Sequence, residues 1–367
     1  MEQDKKVLVS GASFAGLTTA YWMNKMGYKV TVVEIGNHLK MGGTPVDIKD
    51  STIDIVKRMG LFEQIKANRV GPEKWEFKNS NDVTEHMVAL EKLPDNEFEI
   101  ERDLLLNMLF DLIKNDVQFV FNNSIVALNE TKDNIEVTFK NGSQQVYDLV
   151  FGCDGIHSSV RRIWFGNEAE YVRFLGQYFA IAITNKLLVE QGAYQLYAEP
   201  NKGIALYAYN NKTDIIFTFR PKEKIDYDFR NQEQHKKIIS EQFESTSWRS
   251  EELLNELLHA KSFYFDKFCQ VKMPLWTKGR VALVGDAAYC ASPAAGMGGS
   301  LAIIGATALA DAFEKHNGNF ELAFEEYNKG LRPFIEEIQA GAVQMLEKLL
   351  PRTEEEVKWR NKHGFEF

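Results

Sequence analysis

Two short glycine-rich segments, far apart in the chain, carry the residue types that bind phosphate groups. Residues 11–16 read GASFAG and follow an apolar strand at residues 7–10. Residues 280–299 read RVALVGDAAYCASPAAGMGG, in which an apolar strand runs into Gly285 and Asp286 and then into a loop that opens a helix. Such turns bring backbone N–H groups against a flat or anionic ligand. Two of them, almost a whole chain apart, predict a long dinucleotide such as FAD.

The first segment has the spacing of a dinucleotide-binding turn. Gly11 permits the tight turn, Ser13 stands where the backbone approaches a pyrophosphate, and Gly16 lets the helix pack closely on the strand. Phe14 and Ala15 complete the turn and begin the helix. The segment is therefore a candidate cofactor-binding site.

An acid follows at the end of the next strand. Residues 29–33 form that strand, and the carboxylate of Glu34 is placed to accept hydrogen bonds from an adenosine ribose. A surface glutamate after a glycine turn is the alternative. Strand, helix, second strand and terminal acid together favour a dinucleotide.

The elements after Glu34 exclude an ordinary NAD-dependent dehydrogenase. Further βα units are expected there, but the sequence predicts the GGTP segment at 42–45, a helix near 51–58 and a hairpin near 74–89. Arg102 then lies at the mouth of an apolar helix, where it can clamp phosphate or ribityl oxygens. A surface arginine paired with a neighbouring acid is the alternative.

A third turn lies in the middle of the chain. Strands near residues 118–121, 124–129 and 135–140, with another that ends at residue 151, predict a β-meander. The turn GCDG at residues 152–155 follows it. Ser158 is a plausible helix N-cap after this turn, and Arg161 can pair with Asp154. A purely structural turn is the simpler explanation of these residues taken alone, and their position between the other two segments is what links them to the cofactor.

Aromatic strands at residues 171–221 predict a second sheet. Gln195, Tyr197, Phe217 and Phe219 are candidates for the wall of a substrate pocket, although packing alone also explains such residues. Two amphipathic helices and a strand follow at residues 232–245, 250–260 and 261–268.

The last part of the sequence is helical. Helices are predicted at residues 301–313, 320–329 and 331–350, with Pro333 at an early position of the third. The charged tail at 351–367 is predicted to lack regular structure.

These elements predict a mixed α/β fold. A Rossmann-like FAD-binding domain is interwoven with a β-sheet substrate domain, and a C-terminal helical segment follows. We expect the first part of the FAD-binding domain at 1–170, interrupted near 74–100 by a hairpin of the substrate side. The substrate domain, the second FAD-binding part and the C-terminal helix and tail are expected at 171–268, 269–330 and 331–367.

Composition excludes several kinds of partner. The net charge of −9 and pI near 5.5 disfavour nucleic acid and anionic membranes. Cys153, Cys269 and Cys290 lack the spacing of a disulfide framework or zinc site, so no metal is expected. The charged first residues leave no room for a signal-peptide core, and no apolar run reaches about 18 residues. A cytoplasmic protein, monomeric or weakly dimeric, is therefore expected.

With these segments in this order, the chain resembles the FAD-dependent aromatic hydroxylases over essentially its full length. These are single-component flavoprotein monooxygenases with the fold of p-hydroxybenzoate hydroxylase. Residues 42–48, 101–103 and 263–290 are most similar to the tetracycline-inactivating monooxygenases. The resemblance implies that Glu34 holds the adenosine ribose and that Asp286 contacts the ribityl or pyrophosphate region.

The resemblance also implies contacts around the flavin ring. Arg102 matches an FAD-contacting arginine, Asp47 an acid near the flavin, and residues 296–299 a loop whose amides face the ring. Lys40 can meet the phosphates of the nicotinamide cofactor, although a solvated lysine is the simpler interpretation. The full set of cofactor-binding candidates is Gly11, Ser13, Phe14, Ala15, Gly16, Glu34, Lys40, Asp47, Arg102, Asp154, Gly285, Asp286, Pro293, Gly296, Met297, Gly298 and Gly299.

Three positions depart from the family pattern. Met297 replaces a glutamine, Tyr289 a histidine and Ser13 a glycine. FAD binding survives these changes because backbone groups make the contacts concerned. Tyr289 and Met297 lie where they can alter the pocket above the flavin, and Tyr289 is therefore a further substrate candidate.

The implied reaction is hydroxylation of an aromatic or polyketide-like small molecule, with tetracyclines as candidates. NADPH or NADH reduces FAD, dioxygen adds at flavin C4a, and the hydroperoxide transfers an OH group. The cofactor carries this chemistry, so no catalytic side chain is assigned. A flavin-dependent reductase or oxidase of a quinone-like substrate and a non-catalytic, drug-sequestering flavoprotein are the alternatives.

Overall fold

The structure is a computed structural model that describes residues 5–90 and 97–365. Residues 1–4, residues 91–96 of the predicted excursion and residues 366–367 of the predicted tail lie outside the described residues. The strands are β1 (Lys6–Ser10), β2 (Lys29–Val33), β3 (Val46–Ile48), β4 (Arg69–Val70), β5 (Lys74–Lys78), β6 (Thr84–Ala89), β7 (Phe98–Ile100), β8 (Gln118–Val120), β9 (Ile125–Glu130), β10 (Ile135–Phe139), β11 (Gln144–Tyr147), β12 (Leu149–Gly152), β13 (Val172–Thr184), β14 (Ala193–Glu199), β15 (Lys202–Tyr209), β16 (Lys212–Phe219), β17 (Ser262–Val271), β18 (Thr277–Lys278) and β19 (Val281–Leu283).

The helices alternate with these strands and dominate the C-terminal part. They are α1 (Phe14–Lys25), α2 (Ser51–Arg58), α3 (Phe62–Ala67), α4 (Arg102–Asp111), α5 (Ser159–Trp164), α6 (Glu168–Tyr171), α7 (Gln232–Phe243), α8 (Ser250–His259), α9 (Asp286–Tyr289), α10 (Gly298–Lys315), α11 (Phe320–Leu349) and α12 (Glu354–His363). A short 3-10 helix, Pro293–Ala295, precedes α10.

A six-stranded sheet positions the glycine-rich turns. Its order is β18-β19-β12-β1-β2-β8, and all neighbours are parallel except β18 and β19. Ser10 pairs with Gly152 and with Val33, and Gly152 pairs with Leu283. The turns after these strands therefore emerge side by side at the carboxyl edge of the sheet, where α/β folds bind ligands.

The prediction of the meander is wrong for its first and its last strand. β8 and β12 belong to the six-stranded sheet, and only β9, β10 and β11 form an antiparallel meander. All four residues of β12 are buried. This continuous burial is typical of a central parallel strand covered on both faces.

A seven-stranded sheet forms the second layer. Its order is β17-β13-β16-β15-β14-β5-β6, and only β14 and β5 are parallel. One face packs on α7 and α8 through a buried apolar cluster that includes Phe217, Phe243 and Leu253. A small sheet of order β3-β7-β4 carries Asp47 and Glu99, which pair across β3 and β7. The predicted mixed α/β fold with C-terminal helices is confirmed.

The C-terminal helices differ from the prediction. Residues 320–349 form the single helix α11, with Pro333 in its interior. Proline removes one hydrogen bond to the carbonyl group of Lys329, a residue that is exposed, so water can satisfy that carbonyl. Buried side chains continue on both sides of the proline, including Leu331 and Ile335, and packing holds the helix together.

The tail is also more regular than predicted, because residues 354–363 form α12. The hydroxyl of Thr353 accepts a hydrogen bond from the N–H of Glu356 at 3.2 Å. Acidic residues in the first turn and basic residues in the last turn match the helix dipole. Within the described residues no helix is both long and apolar enough to span a membrane.

Candidate functional site

The first turn is shaped by the two glycines that the sequence singles out. Gly11 has φ of +104°, and a β-carbon there would lie 2.5 Å from the carbonyl oxygen of Cys153. A β-carbon at Gly16 would overlap the carbonyl oxygen of Gly11. Neither position tolerates a side chain, so the turn packs closely on its neighbours, and the first N–H groups of α1 have no partner within the helix.

Glu34 is held beside this turn by two backbone groups. Its Oε2 accepts a hydrogen bond from the N–H of Ala12, and its Oε1 accepts one from the N–H of Gly36, both at 2.8 Å. A carboxylate offers about four lone-pair positions, so both oxygens can still accept from ribose hydroxyls.

Arg102 crosses the N-terminus of α1. Its Nη1 donates to the carbonyl oxygen of Lys40 at 2.9 Å, and its Nη2 lies 3.4 Å from Ser13 Oγ. The guanidinium lies 5.2 Å from the centre of the Phe14 ring and forms an ion pair with Asp103 at 3.6 Å. The structure thus combines the two interpretations of Arg102, since it pairs with a neighbouring acid and also reaches the first turn.

The last glycine-rich segment meets the first one. A β-carbon at Gly285 would lie 3.0 Å from the β-carbon of Ala15. One at Gly299 would lie 2.5 Å from a methyl group of Val46 and 3.4 Å from the Phe14 ring. Asp286 opens α9 directly behind Gly285, and burial raises the pKa of its carboxyl group. The predicted convergence of the two segments is confirmed.

The loop before α10 leaves space above its first turn. Pro293 opens the 3-10 helix, Gly296 is left-handed with φ of +65°, and Met297 is the N-cap residue of α10 with 9% exposure. A β-carbon at Gly298 would meet no atom within 4 Å. A β-carbon at Gly296 would lie 3.7 Å from Asp47 Oδ2. The first N–H groups of α10 have no partner within the helix, the space beside Gly298 is open, and the carboxylate of Asp47 lies next to the loop.

Asp154 organises the middle turn through hydrogen bonds and does not form the predicted ion pair. Its carboxylate accepts from the hydroxyl of Ser158 and from the N–H of Ser159 at 2.7 Å. Ser158 caps α5 as predicted. The predicted pairing of Arg161 with Asp154 is wrong, because Arg161 donates to the carbonyl oxygen of Ala287 at 2.8 Å. Helix N–H groups already satisfy Asp154, and Arg161 instead ties the middle segment to α9.

Taken together, this set of groups fits FAD. A glycine cradle, a guanidinium beside it, an acid at the end of β2 and an open helix start are the donors and acceptors that a ribose, a pyrophosphate and a flavin ring require. Lys40 is exposed, and its Nζ lies 5.1 Å from the centre of the Tyr264 ring of the seven-stranded sheet. It stands between the two layers, at the rim of the site.

The predicted substrate wall lies on the far face of the seven-stranded sheet. Tyr197 pairs with Ile204, which pairs with Phe217, so the three side chains share one face. Phe217 packs against Phe243 of α7 at 4.9 Å between ring centres. Phe219 lies on the same face, and Gln195 donates to Glu76 Oε2 at 2.7 Å. The structure does not bring Gln195, Tyr197, Phe217 and Phe219 together with the cofactor residues.

The other face of this sheet points toward the loop before α10. Phe179, Ile181 and Tyr264 cluster there with Ala294 of the 3-10 helix. Buried and half-buried residues alternate from Ile215 to Phe219 of β16, and the half-buried ones, such as Ile216, lie on this face. We call the apolar set Ile181, Leu196, Ala205 and Ile216 the inner face. The sequence-based prediction chose the alternate residues of these strands, which lie on the opposite face. The strand pattern cannot tell the two faces apart, because the positions of α7 and α8 decide which face is covered.

Comparison with known proteins agrees with this geometry. A family model described as an FAD binding domain matches residues 4–320. A flavin-dependent monooxygenase from Legionella longbeachae is 35% identical over 359 residues, which span 96% of this chain and 92% of that protein.

The chain belongs to the family of FAD-dependent monooxygenases.

Two solved structures are similar over the whole length. Tetracycline destructase Tet(51) superposes with a TM-score of 0.88 at 32% identity, covering 98% of this chain and 94% of Tet(51). Tetracycline destructase Tet(55) superposes with a TM-score of 0.86 at 32% identity, covering 100% of this chain and 99% of Tet(55). The two-layer arrangement is thus that of FAD-dependent monooxygenases.

Two protonatable acids lie at one end of the inner face of this monooxygenase. Tyr207 donates to Glu99 Oε2 at 3.3 Å, and Tyr209 donates to Asp214 Oδ1 at 3.0 Å. Burial, together with repulsion from Asp47, raises the pKa of Glu99 to about 7. Burial raises the pKa of Asp214 to about 8. No motif marks isolated acids in strands, so sequence reasoning missed both.

Tyr289 is a core residue of the monooxygenase, and its prediction as a substrate contact is not supported by its position. It is 1% exposed, packs against Trp276 and shares a hydrogen bond of 3.0 Å with the hydroxyl of Tyr327. Gly305 of α10 makes room for its hydroxyl group. The side chain points into the helical layer and away from the inner face.

A half-buried histidine joins the two layers of the monooxygenase. His157 lies 3.2 Å from Glu168 Oε2 and 3.2 Å from Asp266 Oδ2, and its ring stacks on Phe229. Burial opposes its charged form, but the two carboxylates outweigh burial and raise the pKa of His157 to about 9. Burial likewise opposes the Asp266 charge, but the hydrogen bond with His157 outweighs it and lowers the Asp266 pKa to about 2. The pair is therefore charged at neutral pH.

Proposed function

We propose that this protein is an NAD(P)H-consuming monooxygenase that hydroxylates an aromatic or polyketide-like small molecule. The observation that carries the proposal is the open space at the start of α10, next to a 3-10 helix whose Ala294 clusters with Ile181 of the inner face. A flat ring system fits between such surfaces. The names of Tet(51) and Tet(55) make tetracyclines the first compounds to test.

We further propose how the chain holds FAD. Glu34 binds the adenosine ribose, the N–H groups of the first turn and Arg102 bind the pyrophosphate, and Asp286 contacts the ribityl chain. The first N–H groups of α10, at Gly298 and Gly299, would hold the flavin ring and would stabilise negative charge on it. When bound and reduced, FAD supplies the activation of dioxygen.

The inner face binds and orients the substrate. Its aliphatic side chains exclude water and stack on a flat ring system. Glu99, opposite Asp47 in the small sheet and bonded to Tyr207, is placed to accept the proton of a substrate hydroxyl near neutral pH. The deprotonated substrate is the more electron-rich one, which favours hydroxylation.

The nicotinamide cofactor is proposed to bind only transiently, at the rim marked by Lys40. We also propose that the protein is cytoplasmic and either monomeric or weakly dimeric. Residues 1–170 and 269–330 are proposed to form the FAD-binding domain, and residues 171–268 the substrate domain.

A substrate panel tests the proposal. Purified protein is supplied with FAD and NADPH, and tetracyclines and simple phenols are scored for stimulated NADPH oxidation and for product mass. We expect at least one compound to stimulate oxidation and to gain one oxygen atom. Stimulated oxidation with a reduced product would indicate a quinone-type reductase, and binding without turnover would indicate a sequestering flavoprotein. Either result would overturn the proposal.

A further inference from the structure

Arg360 is a buried cation that has no acidic partner among the residues that the structure describes. The residue lies on α12 and is 4% exposed. Its Nη1 donates to the carbonyl oxygen of Leu349 at the long distance of 3.4 Å. Its Nε and Nη2 are both buried and have no hydrogen-bond partner among residues 5–90 and 97–365.

The surroundings of Arg360 differ from those of Arg161, which is also deeply buried. Arg161 is 1% exposed, but it donates to the carbonyl oxygens of Ala287 and Ile156 and lies 3.8 Å from Glu168. A buried charge without such partners costs several kcal/mol. Burial lowers the pKa of Arg360 only to about 10, so its guanidinium is still charged at neutral pH. A group that is costly to the free protein indicates a partner that arrives from outside.

The surroundings of Arg360 place it at the edge of the inner face. Its guanidinium lies 5.9 Å from the centre of the Phe77 ring and 6.0 Å from that of Phe365. Phe77 pairs with Leu196 across β5 and β14, so it shares the face of Leu196. Trp75 lies two residues before Phe77, on the same side of β5, and contacts Phe365 at 5.8 Å between ring centres. Two aromatic rings, Phe77 and Phe365, thus lie next to the guanidinium of Arg360.

The two unpartnered nitrogens have a specific geometry. Nε and Nη2 form one edge of the planar guanidinium, and their N–H bonds are roughly parallel. This edge pairs with two oxygens of one planar anion, as in a bidentate carboxylate pair. An enolised 1,3-dicarbonyl group also presents two oxygens in one plane. A solitary hydroxyl or a cationic amine would leave the edge unsatisfied.

We propose that Arg360 is a substrate-binding residue that pairs with a planar, two-oxygen acidic group, either a carboxylate or an enolised 1,3-dicarbonyl. The inference rests on the proposed function, because it takes the inner face as the substrate wall. α12 then contributes directly to substrate recognition at the β5 side of the wall, and the enzyme selects acidic ring systems.

The test compares two probes that differ in charge. Salicylate carries a planar carboxylate, and salicylamide is its neutral isostere. Their dissociation constants are measured by calorimetry with the wild-type protein, Arg360→Met and Arg352→Met. Arg352 is the matched control, since it precedes α12, is 53% exposed and pairs with Glu347 at 2.5 Å.

We expect the wild-type protein to bind salicylate at least tenfold more tightly than salicylamide, as a charge-assisted pair implies. Arg360→Met is expected to weaken salicylate binding about tenfold while salicylamide binding changes less than about twofold. Arg352→Met should keep the wild-type preference. Equal binding of the two probes by the wild-type protein, or an unchanged preference in Arg360→Met, overturns the proposal.

A second measurement separates binding from a structural role. Replacing an unpaired buried charge by a well-packed apolar side chain is neutral or stabilising, so Arg360→Met should melt at the same or a higher temperature than the wild type without ligand. A lower melting temperature would show that Arg360 stabilises the fold and would overturn the proposal. Oxygenation with an unchanged probe preference in Arg360→Met would sink only this inference, whereas a lack of FAD binding would sink the proposed function.

Discussion

Ala15 and Gly285 are in contact across the cofactor site: a β-carbon on Gly285 would lie only 3.0 Å from the β-carbon of Ala15. The contact joins the first helix to the turn that opens α9. It is possible because β1 and β19 flank β12 in one parallel sheet, so that the turns after these strands emerge at the same edge. The two ends of the sequence thereby build one site.

The first prediction concerns this contact. Gly285 has φ of +67°, and Gly285→Ala adds a left-handed alanine and crowding against Ala15. We expect the free energy of unfolding to fall by about 2 to 3 kcal/mol and FAD affinity to weaken. Gly60 has φ of +75° with no atom within 4 Å of its β-carbon position, so Gly60→Ala is the control. Urea unfolding that shows the same loss in both variants would contradict the contact.

The second prediction concerns Arg102 at the start of α1. Arg102→Gln removes the cation beside Ser13 and is expected to weaken FAD binding at least about tenfold, as the loss of a charged hydrogen bond implies. A titration of flavin fluorescence measures this. Arg162→Gln, which removes a hydrogen bond to Ser159 Oγ on α5, should leave FAD affinity unchanged. Equal affinities in Arg102→Gln and wild type would exclude a role in cofactor binding.

The third prediction follows from the burial of Glu99. Its pKa in the folded protein, about 7, is higher than the ordinary 4.5, so the folded state binds the proton more tightly than the unfolded state. The carboxyl group therefore costs stability as pH rises from 4.5 through 7. We expect Glu99→Gln to gain about 3 kcal/mol relative to wild type between pH 4.5 and 8.5.

Urea unfolding at these two pH values measures the gain. Exposed Glu63 is the control, and Glu63→Gln should show no such change. A constant difference between Glu99→Gln and wild type over this range would show that Glu99 is not buried as described.

The fourth prediction concerns His157, which is charged when it is protonated, whereas Glu99 is charged when it is deprotonated. The pKa of His157, about 9 in the folded protein, exceeds its ordinary 6.5, so its contribution to stability is complete below pH 6.5 and is lost as pH rises through 9. The stability difference between wild type and His157→Gln should shrink by about 3 kcal/mol from pH 6 to pH 9.5. Exposed His259 supplies the control variant, His259→Gln. A difference that does not depend on pH would contradict the ion pair with Asp266.

The sequence predicts the cofactor site better than the substrate side for a physical reason. Gly11, Gly16 and Gly285 are required locally, because backbone conformation or close approach forbids a β-carbon, and local requirements leave a pattern in the sequence. Ser158 is a cap for the same kind of reason, and α2 begins and ends where predicted.

The inner face depends instead on packing between distant segments. Strand periodicity places Phe217 and Ile216 on opposite faces, but the choice of the open face is made by α7 and α8. The same holds for α11, where burial on both sides of Pro333 overrides a local helix breaker. Arg360 is the clearest example of what the sequence does not predict, because nothing in the charged residues 351–367 indicates that one guanidinium is buried.

Oxygen incorporation tests the central claim most directly. The protein is incubated with FAD, NADPH and a tetracycline or phenol that stimulates NADPH oxidation, under labelled dioxygen, and the product is examined by mass spectrometry. A monooxygenase yields a product with one labelled oxygen atom. Stimulated NADPH oxidation that leaves all products free of the label would contradict the account.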